Sequence, residues 1–319
     1  MNNQKKFIVS HAPFWHIGSG VPERHYNTIM AAVPAVLVGL AYFGVPALGV
    51  LGLAVSSAIG WELLYTLVAK RPNTVGDGHA ALTGLLFGML LPATAPYWLV
   101  ITGTFFAIVI AKQIFGGIGA NPFNPAVLAV AILTVSWKAY FDFDAQLLNY
   151  NFHFMALYPP AALKAFGPDA ISKINLGDLF LGRQVGGIGT TCGLALILGG
   201  VYLMARGLMR WEIPIAYIAG LVVTASIFHL AHPDRFAGPM FHLLTGYALF
   251  GAFFLATDDS SSPVNAVPML IYGAAGGMMT ILIRNIGAYP DGTMYAILVI
   301  NLINPLLDKI RPKAIGKAA

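Results

Sequence analysis

Apolar residues in this chain gather into long unbroken runs, with few polar positions inside them and short polar stretches between. Ten runs are legible, near 27–44, 48–68, 79–92, 96–114, 122–137, 190–206, 213–230, 240–256, 267–284 and 293–308. A segment that is hydrophobic all round has no water-facing side, and about 20 apolar residues suffice to cross the hydrocarbon core of a bilayer. The pattern therefore predicts an all-α integral membrane protein of about ten transmembrane helices. The runs at 79–92 and 122–137 are short for a crossing. They predict half-helices or broken helices, which a bilayer admits only where protein or a cavity satisfies the freed backbone groups.

Shifted against itself, the chain repeats. Ala80-Ala81-Leu82-Thr83-Gly84 with Leu91-Pro92-Ala93-Thr94 returns as Leu243-Leu244-Thr245-Gly246 with Leu255-Ala256-Thr257-Asp258. Each copy precedes a second run ending in a basic residue and a glycine turn, Lys112-Gln113 with Gly116, Gly117 and Gly119 in one, Arg284-Asn285 with Gly287 in the other. Two five-helix repeats, 27–137 and 189–308, thus flank a loop at 138–188, with terminal segments 1–26 and 309–319. An odd number of helices per half inverts the second repeat relative to the first, so Thr83-Gly84 begins a helix leaving the side at which Thr245-Gly246 begins one returning. Repeats of this kind place ligand sites between the halves.

Composition agrees with the bilayer as the principal partner. The chain is 57% hydrophobic and 10% charged, where soluble domains carry roughly a quarter charged residues, and its mean hydropathy is +0.73. Placing the 18 Lys and Arg in the loops of the ten-helix reading puts six on one side: Lys138, Lys164, Lys173, Arg183, Arg235 and Arg284. The remaining twelve share a side with both termini, which the positive-inside bias makes cytoplasmic. Flanking cations account for the net charge of +5, and no nucleic-acid partner is implied. Met1 to Tyr26 lacks the apolar core of a signal peptide. One cysteine, Cys192, excludes an internal disulfide and any cluster built from this chain's thiols alone, and reads as a packing residue inside the sixth helix.

Candidate chemistry is concentrated in two glycine-rich turns. Gly116-Gly117-Ile118-Gly119-Ala120-Asn121-Pro122-Phe123-Asn124-Pro125 cannot continue a helix. Its Asn121 and Asn124 amides suit either a helix cap or the polar edge of a neutral flavin or quinone. Gly186-Gly187-Ile188-Gly189-Thr190-Thr191-Cys192-Gly193 opens the sixth helix and suits close packing or, at a helix N-terminus, a phosphate. Glu62 stands out as an intramembrane acid, whereas Lys112 and Arg284 lie where long cations snorkel to the interface. The loop's aromatics, Tyr140 to Tyr158, suit a partner or planar ligand as well as the membrane surface, and a short helix is expected near Ala161–Phe166. His229 and His232 share a helix face, without the facing pairs of a bis-histidine haem site. No catalytic triad, HExxH motif, paired carboxylates or nicotinamide-binding pattern is present, and no metal site is expected.

Lys112-Gln113-Ile114-Phe115-Gly116-Gly117 leading into Asn121-Pro122-Phe123-Asn124-Pro125-Ala126 resembles the RnfD/NqrB family of membrane subunits. So does Phe241-His242-Leu243-Leu244-Thr245-Gly246 through Gly251 to Asp258 with Ser262-Pro263-Val264. Ile283-Arg284, Gly287, Tyr289-Pro290-Asp291-Gly292 and Asn301 to Asp308 extend the likeness over nearly the whole chain, closer to RnfD than to NqrB. The resemblance implies a ten-helix, urea-transporter-like subunit of an ion-translocating electron-transfer complex in a bacterial or archaeal inner membrane. It would relay electrons through flavin, coupled to sodium or proton movement, with other membrane and peripheral subunits of the complex as partners and no catalysis alone. Non-covalent riboflavin or FMN would sit at Gly119, Asn121, Phe123 and Asn124. The family's covalent FMN is attached to the threonine of a Ser/Thr-Gly-Ala-Thr-Pro motif. Here Ala156-Leu157-Tyr158-Pro159 stands in its place, so Tyr158 replaces the threonine and leaves Thr191 as the hydroxyl of the neighbouring outer turn. A solute channel or transporter of the same fold, or a cofactor-free scaffold subunit, are the other readings.

Overall fold

Residues 20–148, 150, 152, 154, 157–171 and 174–310 are described by the structure, a computed structural model. Most of the expected N-terminal segment, the C-terminal tail from 311, Ala156, Lys173, and three of the histidines, His11, His16 and His153, lie outside the described residues. Among the described residues every regular element is helical.

Helix α1 is Val21–Val68, 48 residues that bend into two arms at Gly44 (φ 66, ψ −150). Glycine reaches that left-handed backbone without a Cβ penalty, and Pro46 just beyond has no N–H to continue the ladder. The arms match the expected first two runs, with the helix beginning at Val21 rather than 27. The Phe43 carbonyl accepts from the Tyr150 hydroxyl at 3.3 Å. Phe152 and Tyr150 lie edge-on to Phe43, and Phe154 edge-on to Tyr42. The loop aromatics thus pack over this chain's own helix break.

The short runs are short helices. α2 is His79–Leu90 and α4 is Pro125–Ser136, 12 residues each, or about 18 Å at 1.5 Å per residue. Between them α3, Tyr97–Phe105, continues as a π-helical turn over Phe106–Gln113. The long loop carries α5 (Phe143–Gln146), α6 (Pro159–Phe166, where a helix was expected) and α7 (Leu176–Leu181). Then come α8 (Gly193–Ala205), α9 (Glu212–Ala231), α10 (Pro239–Leu244), α11 (Ala248–Phe250, continuing as π over Gly251–Leu255), α12 (Ala266–Asn285) and α13 (Thr293–Leu307).

The apolar run at 240–256 is therefore not one helix. It breaks at Thr245, whose backbone is extended, and at Gly246, whose φ is +66. Cys192 is the residue preceding α8 and not inside it, and His232 lies beyond the end of α9, off the face of His229.

Glycines set the tightest approaches. A Cβ on Gly84 would lie 2.6 Å from the Ala54 carbonyl oxygen, pressing α2 onto α1, and one on Gly277 would overlap the Tyr217 carbonyl where α12 meets α9. Gly273 and Gly277 form the small-residue spacing that lets membrane helices approach closely. One continuous apolar core runs from Ala31 to Ile300 through both halves. Outside it, large apolar side chains such as Leu37, Leu67, Ile227 and Leu302 are exposed. Among the described residues three helices, α1, α9 and α12, are long and apolar enough to cross a membrane. This is the surface of a membrane protein.

Candidate functional site

Polar groups collect at the two ends of α2, the His79 end and the Leu90 end, about 18 Å apart for a helix of this length.

At the His79 end, Asp77 sets the start of the helix: its carboxylate accepts from the His79 N–H at 2.8 Å, and its carbonyl meets His25 Nδ1 at 2.8 Å. The His25 and His79 rings then lie edge to face, 4.9 Å apart. Nearby, Glu62 and Lys112 form an ion pair with Nζ at 2.9 and 2.8 Å from the two carboxylate oxygens, and Thr74 donates to Oε1 at 2.5 Å. Both side chains are essentially inaccessible. Lys112 lies in the π-helical turn, a distortion frequent at functional positions. The expectation that Lys112 snorkels to the surface is wrong, because Glu62, fifty positions earlier, holds the cation inside.

The Gly116–Asn124 turn bridges the halves at this end. Gly119 N–H donates to Ser260 Oγ at 3.1 Å. Asn124 caps α4 through its side-chain oxygen, which accepts from Ala126 and Val127 N–H, while its amide nitrogen donates to the Leu255 carbonyl at 3.0 Å. The amide of Asn301, oriented by its neighbours, accepts from the Asn124 N–H at 3.0 Å. Every hydrogen-bonding group of Asn124 is thereby engaged within the fold. Asn121 donates to the Phe123 carbonyl at 3.0 Å, and its own Oδ1 is buried without a donor. A cavity of about 250 Å³ opens beside the turn, lined by Gly119 and Ile118, the apolar Leu82, Leu86, Phe253 and Phe254, and the polar Arg24, His25, His79 and Asp258 to Ser260.

Of the five residues singled out from sequence, Gly119, Asn121, Phe123 and Asn124 share this turn, and of them Gly119 lines the cavity. Thr191 does not join them. Its turn packs on the opposite end of α2, with Ile188 N–H on the Leu91 carbonyl at 3.0 Å and Gly189 N–H on Met89 at 2.9 Å. Gln184 fixes that turn by donating to the carbonyls of Thr191 and Leu244, both at 2.8 Å. The Thr191 hydroxyl is buried and unpartnered.

The Leu90 end holds the second buried ion pair, Arg284 with Asp291 at 3.1 Å. Arg284 also donates to the carbonyls of His242 and Thr245 at 2.6 and 2.9 Å, and Asp291 accepts from Tyr247 N–H at 2.7 Å. Arg284, like Lys112, is inside and not at the interface. Tyr158 points its hydroxyl at the same Asp291 oxygen, 3.5 Å away. Burial, reinforced by the Asp291 charge, holds this phenol well above its ordinary value and neutral. An aromatic cavity of about 450 Å³, lined by Phe141, Phe143, Tyr158 and Tyr289 among others, adjoins it. Sequence reasoning missed both ion pairs. The available signal was the likeness of two sequence endings, Lys112-Gln113 and Arg284-Asn285, each a cation shortly before a glycine turn.

The chain matches the family described as NQR2, RnfD, RnfE over residues 8–316. It is 32% identical to the D-type component of the ion-translocating oxidoreductase complex of Cronobacter sakazakii, covering 97% of this chain and 99% of that protein. Identity to the corresponding component of the Na(+)-translocating ferredoxin:NAD(+) oxidoreductase complex of Acetobacterium woodii is 36%, over 98% and 96%. The counterpart in the proton-translocating ferredoxin:NAD(+) oxidoreductase complex of Clostridium ljungdahlii is 34% identical, over 95% and 94%. With near end-to-end coverage on both sides, this chain belongs to the NQR2, RnfD, RnfE family.

Proposed function

We propose that this chain is the D-type membrane component of an ion-translocating oxidoreductase complex and relays electrons through a non-covalently held flavin at the His79 end. Membership of the family and the names of its full-length relatives support the first part. The observation that carries the second is the turn at Gly116–Asn124, whose Ile118 and Gly119 line a cavity with an apolar wall and a polar rim.

That lining suits the chemistry of a flavin ring. Phe253, Phe254 and Ile118 would exclude water from its body, and the turn shaped by Asn121 and Asn124 would hold Gly119 against its edge. The cavity lies just under the roughly 300 Å³ at which small-molecule sites begin, so binding would widen it. Once bound, the group supplies electron transfer that side chains alone do not. Covalent FMN does not fit at Tyr158, a buried phenol held toward Asp291, and no threonine lies between Lys138 and Gly189.

The same reading takes the ten apolar runs as ten crossings in two inverted repeats, with the termini on the cytoplasmic face of an inner membrane. Inversion is supported by the equivalent cations. Each pairs with a buried carboxylate, Lys112 at the His79 end and Arg284 at the Leu90 end. Moving these two out of the loop count leaves eleven cations against five, and the orientation bias stands.

Flavin fluorescence of this protein, purified with its complex, tests the cofactor. Release on denaturation, with loss of that released fraction in Asn121→Ala, is the expected result. A folded complex in which this chain carries no flavin would overturn the relay and favour a solute transporter or a scaffold on the same fold.

A further inference from the structure

A second cavity, of about 330 Å³, lies at the Leu90 end between α6, α10, the end of α12 and the turn that carries Arg235. Its lining includes Lys164, Arg235, His242, Arg284 and Asn285, and none of its lining residues carries a carboxylate. Three buried nitrogen atoms on these side chains have no hydrogen-bond partner: His242 Nε2, Arg284 Nε and Asn285 Nδ2. Buried polar groups are almost always paired in folded proteins, so three around one cavity call for an acceptor that occupies it.

The surrounding bonds show which groups remain for that acceptor. Lys164 Nζ donates to the carbonyls of Arg284, Gly287 and Tyr289 at 3.1, 2.5 and 2.8 Å. An ammonium has three protons, so Lys164 supplies charge and ties α6 to the end of α12 but has no donor left. The terminal nitrogens of Arg284 are taken by His242, Thr245 and Asp291 on the other side of the guanidinium. What stays free is the Nε–H of a fixed arginine, the amide of the next residue, the imidazole nitrogen one helix away and the exposed head of Arg235 at the mouth. A water molecule accepts two hydrogen bonds and answers no charge. An oxyanion with several oxygens accepts all three and offsets the cations, and charge-assisted bonds to it are the stronger kind.

We infer that this cavity is an anion site for a phosphate group, held by His242, Arg284 and Asn285 with Arg235 at its entrance. The proposal does not depend on the flavin reading, because it concerns the opposite end of α2 and uses none of the same residues. The phosphate could be that of an anionic phospholipid in the adjoining leaflet or of a soluble phosphate ester, which share this chemistry.

The test uses the intact detergent-purified complex, with Arg235→Gln and Asn285→Ala as separate variants. Both spare the Arg284–Asp291 pair, and Arg235 is exposed, so the first variant folds regardless of any role at the site. Inorganic phosphate, titrated against chloride at constant ionic strength, is expected to raise the thermal midpoint of the wild-type complex, with half-saturation shifted about tenfold upward in each variant. One lost charge-assisted bond corresponds to a factor of that order. Native mass spectrometry distinguishes the sources: an anionic phospholipid retained on the wild-type protein and lost from the variants assigns the site to a headgroup, whereas a phosphate response without retained lipid assigns it to a soluble ester. If phosphate acts equally on wild type and both variants, or not at all with no lipid retained, the cavity holds water and the inference fails.

Discussion

Arg284 and Asp291 stand 3.1 Å apart, each almost wholly excluded from solvent, and between them they occupy the backbone groups released where the chain breaks at Thr245 and Gly246. The arginine accounts for carbonyls at the end of α10, and the aspartate for the N–H of Tyr247 before α11. A broken helix in a membrane protein needs partners for those groups. This ion pair supplies them from a helix and turn some forty residues further along the chain.

Removing one partner is more damaging than removing both. Arg284→Met leaves a buried carboxylate without its cation, a loss of about 3–5 kcal/mol in comparable pairs. Asp291→Asn keeps one oxygen to accept from Tyr247 N–H, loses the other that accepts from Thr293 N–H, and leaves the Arg284 cation without its counter-charge. The double variant is expected to fall short of the sum of the singles, because the charge left behind by each disappears with the other. Thermal unfolding of the four purified complexes measures the coupling, and strict additivity would show that the pair is not a unit.

Gly246 admits no side chain. Its φ of +66 disfavours any residue with a Cβ, and a built Cβ runs into the carboxylate of Asp291 and lies 2.8 Å from an Arg284 nitrogen. Gly246→Ala therefore combines backbone strain of about 1 kcal/mol with displacement of the ion pair. It should lower the thermal midpoint far more than Gly49→Ala, where nothing stands within 4 Å of the added carbon. Similar midpoints for the two variants would mean that the break is not held as described.

The legible part of this fold is what local composition dictates. Helix occurs within each of the ten apolar runs, and the two short ones are short helices because Gly78 and Pro125 start them and Pro92 and Trp137 follow their ends. Asn124 before Pro125 reads as a cap and is one. The break at Gly246 was hidden, since the run from 240 to 256 carries no charge and its interruption is fixed by Arg284 and Asp291 from elsewhere. The buried Lys112 was hidden for the same reason: a lysine near a helix end ordinarily reaches water, and only the fold brings Glu62 to it. Of the candidate site, the turn carrying Gly119 to Asn124 was visible from its glycines and prolines. Its attachment to Leu255 and Ser260 was not, because bonds across 131 and 141 residues leave no trace in local sequence.

Asp258, in the polar loop after the π-helical turn, makes the cavity at the His79 end sensitive to pH. Burial raises its carboxyl from the ordinary 3.8 to about 6, opposed by the Ser261 hydroxyl and N–H that donate to Oδ2 at 2.9 and 3.2 Å and assisted by the neighbouring Asp259 charge. A carboxyl whose folded value exceeds its unfolded one binds its proton more tightly when folded. Its stabilising effect is complete below the unfolded value and is lost as pH rises through the folded one. Stability attributable to Asp258 should accordingly decline as pH rises from 3.8 to about 6 and then level off. Asn at this position has no proton to release, so Asp258→Asn is expected to remove that slope while other carboxylates keep theirs. Thermal midpoints of wild-type and variant complexes across this range give the comparison directly, and parallel curves would place the titration of Asp258 outside it.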